Sequence, residues 1–257
     1  MRSLTSDHGQ RSNLAVTLAQ SVREVRDAQR LRYRIFADES GVQRPYRSSG
    51  LDEDEFDSYC DHLIVRDTDR DEVVGTYRIL TSLKAIEVGQ FYSEIEFDLT
   101  MLKPLVPRLV EVGRFCIHQD YRQGGVLTLL WAGLAQYMMT GRYEYVMGCA
   151  SISLEDGGSL ATETYLGLRN TCLSPDGWRV APHRRYPIDG CHLVGHPILS
   201  PLVKGYVRLG AYICGELGWD PQLNTANLFM LLPLSRLNPR YARHFLGAPC
   251  QVSAPAA

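Results

Sequence analysis

A glutamate set inside an apolar, β-type run is the residue of this chain whose placement most needs a chemical explanation. In Glu111-Val-Gly-Arg-Phe115, residues 109–118 carry several branched and aromatic side chains, and a carboxylate there is costly unless it is hydrogen-bonded or paired. Burial of that kind raises a carboxyl pKa, which suits a general base that takes a proton from an ammonium group near neutral pH. A buried salt bridge between Glu111 and Arg114 with no catalytic duty is the alternative. Alternation along a strand places Glu111, Gly113 and Phe115 on one face and Val112 and Arg114 on the other.

The run leads into Asp120-Tyr-Arg-Gln-Gly-Gly125 and then into an apolar helix at 126–140. Backbone N–H groups at a helix N-terminus just after a strand form an anion site for a phosphate or pyrophosphate; a glycine-rich turn without a ligand is the plainer reading. The acidic run 51–57 is either a solvated loop or a grip on a cationic amine. Ser151 and Ser153 have no Gly-x-Ser-x-Gly elbow around them and read as a strand-end pair lining a pocket. Cys191, His192 and His196 are not joined to a second ligand pair, so no metal is expected.

The elements that must position these groups follow from pattern. Residues 13–20 read as a strand. Ser21 with Glu24 caps a helix over 22–39, its buried face at Val22, Val25, Ala28, Leu31 and Ile35. Strands at 62–66 and 73–80 form a hairpin, 96–106 is a short helix, and 109–118 a long strand. Together with the helix at 126–140 and a strand at 143–148 this is a βαβ unit, which implies neighbouring parallel strands. A helix at 160–172, a long functional loop over 174–200, a segment at 202–216, a strand at 227–233 and a helix at 239–246 complete the chain. Residues 1–12 and 248–257 are expected to be disordered, and 13–247 to form a single domain.

Composition excludes several functions. A net charge of -2 gives no basic face for a nucleic acid, which needs clustered Lys and Arg against phosphate. Most of the 27 basic residues are arginine, suited to bidentate carboxylate and phosphate contacts, although GC-rich coding gives the same bias. The seven cysteines are scattered without a Cys-x-x-Cys pair, a reduced, cytosolic pattern. Residues 13–19 form the only apolar stretch near the start, far short of the about 20 residues that a span requires.

Several of these motifs carry a resemblance. The turn Arg122-Gln-Gly-Gly-Val-Leu127 resembles that with which GNAT acyltransferases hold the pyrophosphate of coenzyme A. Leu127 stands where they have a small residue, which argues for a donor with a single phosphodiester. Arg32-Tyr-Arg-Ile-Phe36, Asp54-Glu-Phe-Asp57, Arg78 in Gly75-Thr-Tyr-Arg-Ile79 and Glu111-Val-Gly-Arg-Phe115 stand in the same order as in the acyl-homoserine-lactone synthases. Gly113 replaces their Ser, favouring simple amide formation. A fuller match is the ornithine-lipid N-acyltransferase family, through Gln29 to Phe36, Glu55-Phe-Asp-Ser-Tyr-Cys-Asp-His62, Phe91-Tyr-Ser-Glu-Ile-Glu-Phe-Asp98, Leu202 to Ala211, Trp219-Asp-Pro221 and Asn224-Thr-Ala226.

The resemblance implies an α/β, GNAT-like acyltransferase fold: a mixed twisted sheet flanked by helices, with a C-terminal elaboration, splayed near 111–118. It implies transfer of a 3-hydroxyacyl chain from the phosphopantetheine of acyl carrier protein to the α-amine of ornithine or a similar amino acid. No cofactor is bound permanently. Glu111 and Arg114 are the expected catalytic pair. Arg32, Asp54, Asp57 and Arg78 would bind the acceptor or fix Glu111; Phe36, Phe115, Trp131 and Leu134 would line the acyl pocket. Arg122, Gln123, Gly124 and Gly125 would hold the donor's phosphate. Arginines at 23, 26 and 30, or at 184 and 185, would dock the carrier protein. A downstream membrane O-acyltransferase is an implied partner, and the implied location is the cytoplasm or the inner membrane face. The rivals are a lactone synthase, a coenzyme A-dependent acetyltransferase, and a catalytically silent acyl-binding or membrane-associated protein.

Overall fold

The computed structural model describes residues 13–39, 49–123, 125–188 and 199–237. The chain runs β1 (Leu14–Leu18), α1 (Val22–Tyr33), β2 (Asp61–Asp67), β3 (Glu72–Thr81), α2 (Ser82–Val88) and β4 (Phe97–Asp98). It continues through β5 (Leu109–Ile117), α3 (Val126–Gly141), β6 (Tyr145–Ser153), α4 (Ser159–Cys172) and β7 (Ala181–Pro182) to α5 (Pro201–Leu209), β8 (Tyr212–Ile213), β9 (Gly218–Asp220) and β10 (Thr225–Pro233). No helix among the described residues is long and apolar enough to cross a membrane.

One sheet orders the strands β1-β2-β3-β5-β6-β10-β8, with β9 also on β10 and a separate β4–β7 pair. Every pairing is antiparallel except β5 with β6. That parallel pair is joined through α3, the crossover expected of a βαβ unit. Period-two alternation sorts the layers. In β2, Leu63 and Val65 pack with Val126, Leu130 and Leu134 of α3, while Ile64 packs with Ala28 and Leu31 of α1 and with Ile35 just beyond it. Helices therefore cover both faces. Gly75 of β3 lets α3 approach: a Cβ there would lie 2.4 Å from Val126.

Ser21 accepts from the Glu24 N–H and Glu24 accepts from Gln20, so α1 starts as expected. Val22, however, is 70% exposed: it stands before the turn that reaches the sheet, and the buried face begins at Ala28. The helix over 22–39 ends its α-form at Tyr33 and winds on as a π-turn over Arg34–Glu39. The short helix expected over 96–106 forms later in the chain, and as a 3-10 rather than an α-helix. Phe97–Asp98 pairs with β7, and Thr100–Arg108 is a 3-10 coil with Pro104 and Pro107 inside it, where the missing N–H groups forbid an α-helix. Helix α2 was not anticipated, and β6 runs on to Ser153. The helix expected at 239–246, the two termini and Cys191, His192 and His196 lie outside the described residues.

Candidate active site

The site is built where β5 leaves β6. The two strands pair only from Leu109–Glu111 to Tyr145–Met147, although β5 continues to Ile117 and β6 to Ser153. The other edge of β6 stays paired with β10 over its whole length. Gly148 sits at the fork, where a Cβ would be 2.3 Å from the Val112 carbonyl oxygen. Beyond it the facing edges diverge around a cavity of about 720 Å³, within the size range of small-molecule sites.

A bulge in β5 decides which side chains face that cavity's polar end. Thr76 pairs with Cys116 and Arg78 with Gly113, so Tyr77 alone opposes Arg114 and Phe115. Arg114 takes φ +52, a left-handed conformation that one type of bulge uses and that non-glycine residues seldom adopt. Strict alternation, which put Arg114 opposite Glu111, is thereby broken. Arg114 turns to the Glu111 side, its guanidinium 5.3 Å over the Tyr92 ring, and Phe115 packs edge-on to Tyr77 at 5.3 Å.

Glu111 is 4% exposed and lines the cavity. Its carboxylate accepts from the Tyr92 N–H at 2.6 Å, the Ser93 N–H at 2.8 Å and the Ser93 hydroxyl. Burial pushes its pKa above the ordinary value of 4.5, against the lowering by the Ser93 and Tyr92 hydrogen bonds and by Arg78. Ser93 Oγ also lies 3.4 Å from Cys149 Sγ, a thiol that burial drives well above its ordinary pKa and so away from thiolate chemistry. Glu111 makes no ion pair with Arg114. Arg114 instead donates to Asp54 at 2.9 Å and lies 3.8 Å from Asp52.

Around Tyr92, three arginines alternate with three aspartates. Arg32 meets Asp52 at 3.1 Å and Asp57 at 2.7 Å; Arg78 meets Asp54 at 2.6 Å and Asp57 at 3.2 Å. Asp54 caps the 3-10 turn Glu55–Tyr59 and Asp57 caps it back, fixing both carboxylates. Gln29 donates to Asp57 at 3.1 Å, and His62 contacts the Asp57 carbonyl. The acidic run is therefore no solvated loop: Asp52 and Asp57 are buried. Burial alone would raise the Asp57 carboxyl, but Arg32 and then Arg78 outweigh it and hold it well below the usual range; Arg78 and Arg114 do the same for Asp54. Within the network Arg32 and Asp57 are sealed, while Asp54 and Arg114 form the accessible edge.

Phe36, Phe115, Ser151 and Ser153 line the cavity, as do Arg78 and Arg114. Trp131 and Leu134 do not. Leu134 is buried in the core, while the partly buried Trp131 packs against Tyr206 and over Gly205 of α5. Arg122, Gln123 and Gly125 are exposed at the start of α3 and outside the cavity lining, with Leu127 packed on the core; Gly124 lies outside the described residues. Sequence reasoning missed Tyr92, Ser93, Asp52 and Asn227 as site residues. Tyr92 and Ser93 lie in the Phe91–Asp98 motif, but only the fold brings them to Glu111.

A model of the acetyltransferase (GNAT) domain matches residues 31–132. The chain is 34% identical over 257 residues to an L-ornithine N(alpha)-acyltransferase of Brucella abortus (strain 2308), covering 92% of this chain and 90% of that one. It is 32% identical over 246 residues to the protein of the same name from Rhodobacter capsulatus, covering 90% and 93%. Among solved structures, the coenzyme A-dependent acyl-homoserine lactone synthase BjaI with MTA superposes with a TM-score of 0.58 at 14% identity, over 95% of this chain and 96% of that one. That likeness establishes the shared fold.

Proposed function

This chain belongs to the L-ornithine N(alpha)-acyltransferase family, and on that footing we propose that it moves a 3-hydroxyacyl chain from acyl carrier protein to the α-amine of ornithine, making a lyso-ornithine lipid. The observation that carries this reading is a buried carboxylate of raised pKa in the wall of a cavity opened by two diverging strands.

The donor's pantetheine amides pair with the backbone edges that β5 and β6 leave open, and the acyl chain runs past Phe36 and Phe115. The exposed turn residues Arg122, Gln123 and Gly125 meet the donor's phosphate. A carboxylate offers about four acceptor sites. Tyr92 and Ser93 fill three on Glu111, and the remaining one takes a proton from the acceptor ammonium, directly or through water. The freed amine attacks the thioester carbonyl, the tetrahedral adduct collapses, and the thiol leaves with a proton. No covalent enzyme intermediate forms.

Arg114 and Asp54 contact the acceptor from the accessible edge of the network, and Arg32, Asp57 and Arg78 hold them there. The enzyme works in the cytoplasm or against the inner membrane face, where its single-chain product passes to a membrane O-acyltransferase. The test is to incubate purified protein with 3-hydroxyacyl carrier protein, or with the matching acyl-coenzyme A, and a panel of amino acids. Acylated ornithine formed from the carrier-bound donor supports the reading; turnover from coenzyme A alone overturns the donor assignment, and no amide from either overturns the function.

A further inference from the structure

A second cavity, of about 670 Å³, adjoins the acyl cavity and shares Tyr92, Glu96, Arg114, Gln222 and Leu223 with it. The shared wall includes Tyr92, whose N–H holds Glu111 in the lining of the first cavity. The described lining carries four carboxylates, Asp52, Glu53, Glu96 and Asp220, against the guanidinium groups of Arg114 and Arg184. That excess of negative charge suits a ligand with more positive than negative charge.

An independent observation marks the acyl-cavity side of Glu96, one of the shared residues, as built for a ligand. Asn227 is 2% exposed, lines the acyl cavity, and donates through Nδ2 to Glu96 at 2.5 Å. The carboxylate can only accept, so the amide's orientation is fixed. The Asn227 Oδ1 then has no hydrogen-bond partner among the described residues, a cost that an incoming N–H would relieve.

Resting on the acyltransfer reading, we propose that the second cavity receives the acceptor and that Asp220 is the residue that selects for the acceptor's distal ammonium. The α-amine reaches the acyl cavity between Glu96 and Asn227, with the α-carboxylate on Arg114 at the same wall. The side chain runs past Trp219 and Leu223 to place its distal ammonium on Asp220. Asp220 is poised for this: its Oδ1 accepts from the Gln222 and Leu223 N–H groups and fixes the carboxylate at the cavity wall. The cavity thus reads the acceptor at both ends, while the acyl cavity reads the donor.

The experiment compares ornithine with norvaline, which has the same carbon chain without the distal amine. Wild-type protein should favour ornithine at least tenfold in kcat/KM, and Asp220→Asn, which keeps an oxygen for the turn, should cut that preference at least tenfold through KM. Asp220→Glu should retain it. A preference that survives Asp220→Asn, or a loss shared equally by both acceptors, overturns the proposal. Ornithine binding by calorimetry needs no donor and should weaken at least tenfold in Asp220→Asn; equal binding to both proteins also overturns it. Ornithine bound in an Asp220-dependent way with no amide formed from any donor would sink the acyltransfer reading and leave the cavity assignment standing.

Discussion

Glu111 is held by three donors and is almost fully buried, which separates what it does for stability from what it does for chemistry. Its raised pKa means that ionising it costs folding energy. That contribution to stability is intact below the ordinary value of 4.5 and is lost as pH rises through the higher folded value. Glu111→Gln removes the charge but keeps only one acceptor oxygen, so its amide nitrogen opposes a backbone N–H of Tyr92 or Ser93. We expect turnover to fall by about 10²–10⁴-fold, the usual share of a general base, against a stability loss of about 1–3 kcal/mol from that mismatch. The rising acid limb of the pH–rate profile, set above the ordinary carboxyl value, should disappear with it. A variant that melts early yet keeps its turnover would take Glu111 out of the mechanism. Asp57 is the opposite case. Its removal as Asp57→Ala leaves Arg32 and Arg78 short of a buried counter-charge, and breaking such a pair costs about 3–5 kcal/mol, which urea denaturation would read directly.

At the scale of elements, the site depends on two departures from a regular sheet. The bulge opposite Tyr77 swings Arg114 to the side of Glu111, and the fork at Gly148 opens the slot. The fork is tight, because any Cβ on Gly148 would press on the Val112 backbone rather than on a yielding side-chain tip. Gly148→Ala should therefore cost about 1–3 kcal/mol, the range for overpacking, and raise the KM for the acyl donor more than that for the acceptor. Denaturation curves and separate donor and acceptor titrations distinguish this from a general loss of fold. Equal KM changes for the two substrates would mean that the fork does not shape the donor slot.

For the whole molecule, charge is concentrated in one buried network and spread thinly outside it. Asp54 and Asp57 have depressed pKa values set by their arginines against the opposing effect of burial. Their stabilisation is fully present above the ordinary 3.8 and disappears as pH falls through the lower folded values. Acid unfolding should therefore begin below about pH 4, and Asp57→Asn should flatten that part of the stability curve. Outside, Arg23 and Arg30 are half-engaged with Asp71 and Asp27, and Arg185 with Glu216. Docking of an acidic carrier protein on such a surface should show association rates that fall with ionic strength, measurable by stopped flow; rates indifferent to salt would contradict it.

The local frame and the cast of residues can be read from the order of amino acids alone. Ser21 and Glu24 cap α1 through contacts within one turn, and the strand, glycine turn and apolar helix from 109 to 141 specify a parallel crossover through chirality alone. The motif residues Arg32, Asp54, Asp57, Arg78 and Glu111 were all legible by type and order. What they do to one another was not. The network pairs Asp57 with residues 21 and 25 positions away, and Asn227 with Glu96 across 131, and no local pattern carries such separations. Likewise the face of Arg114 depends on one left-handed residue opposite Tyr77, and the exposure of Val22 on where the sheet ends beneath α1. Periodicity reports how a segment presents its side chains when it is regular; only the tertiary structure decides where regularity breaks and which charges meet, because both are set by neighbours remote in the chain.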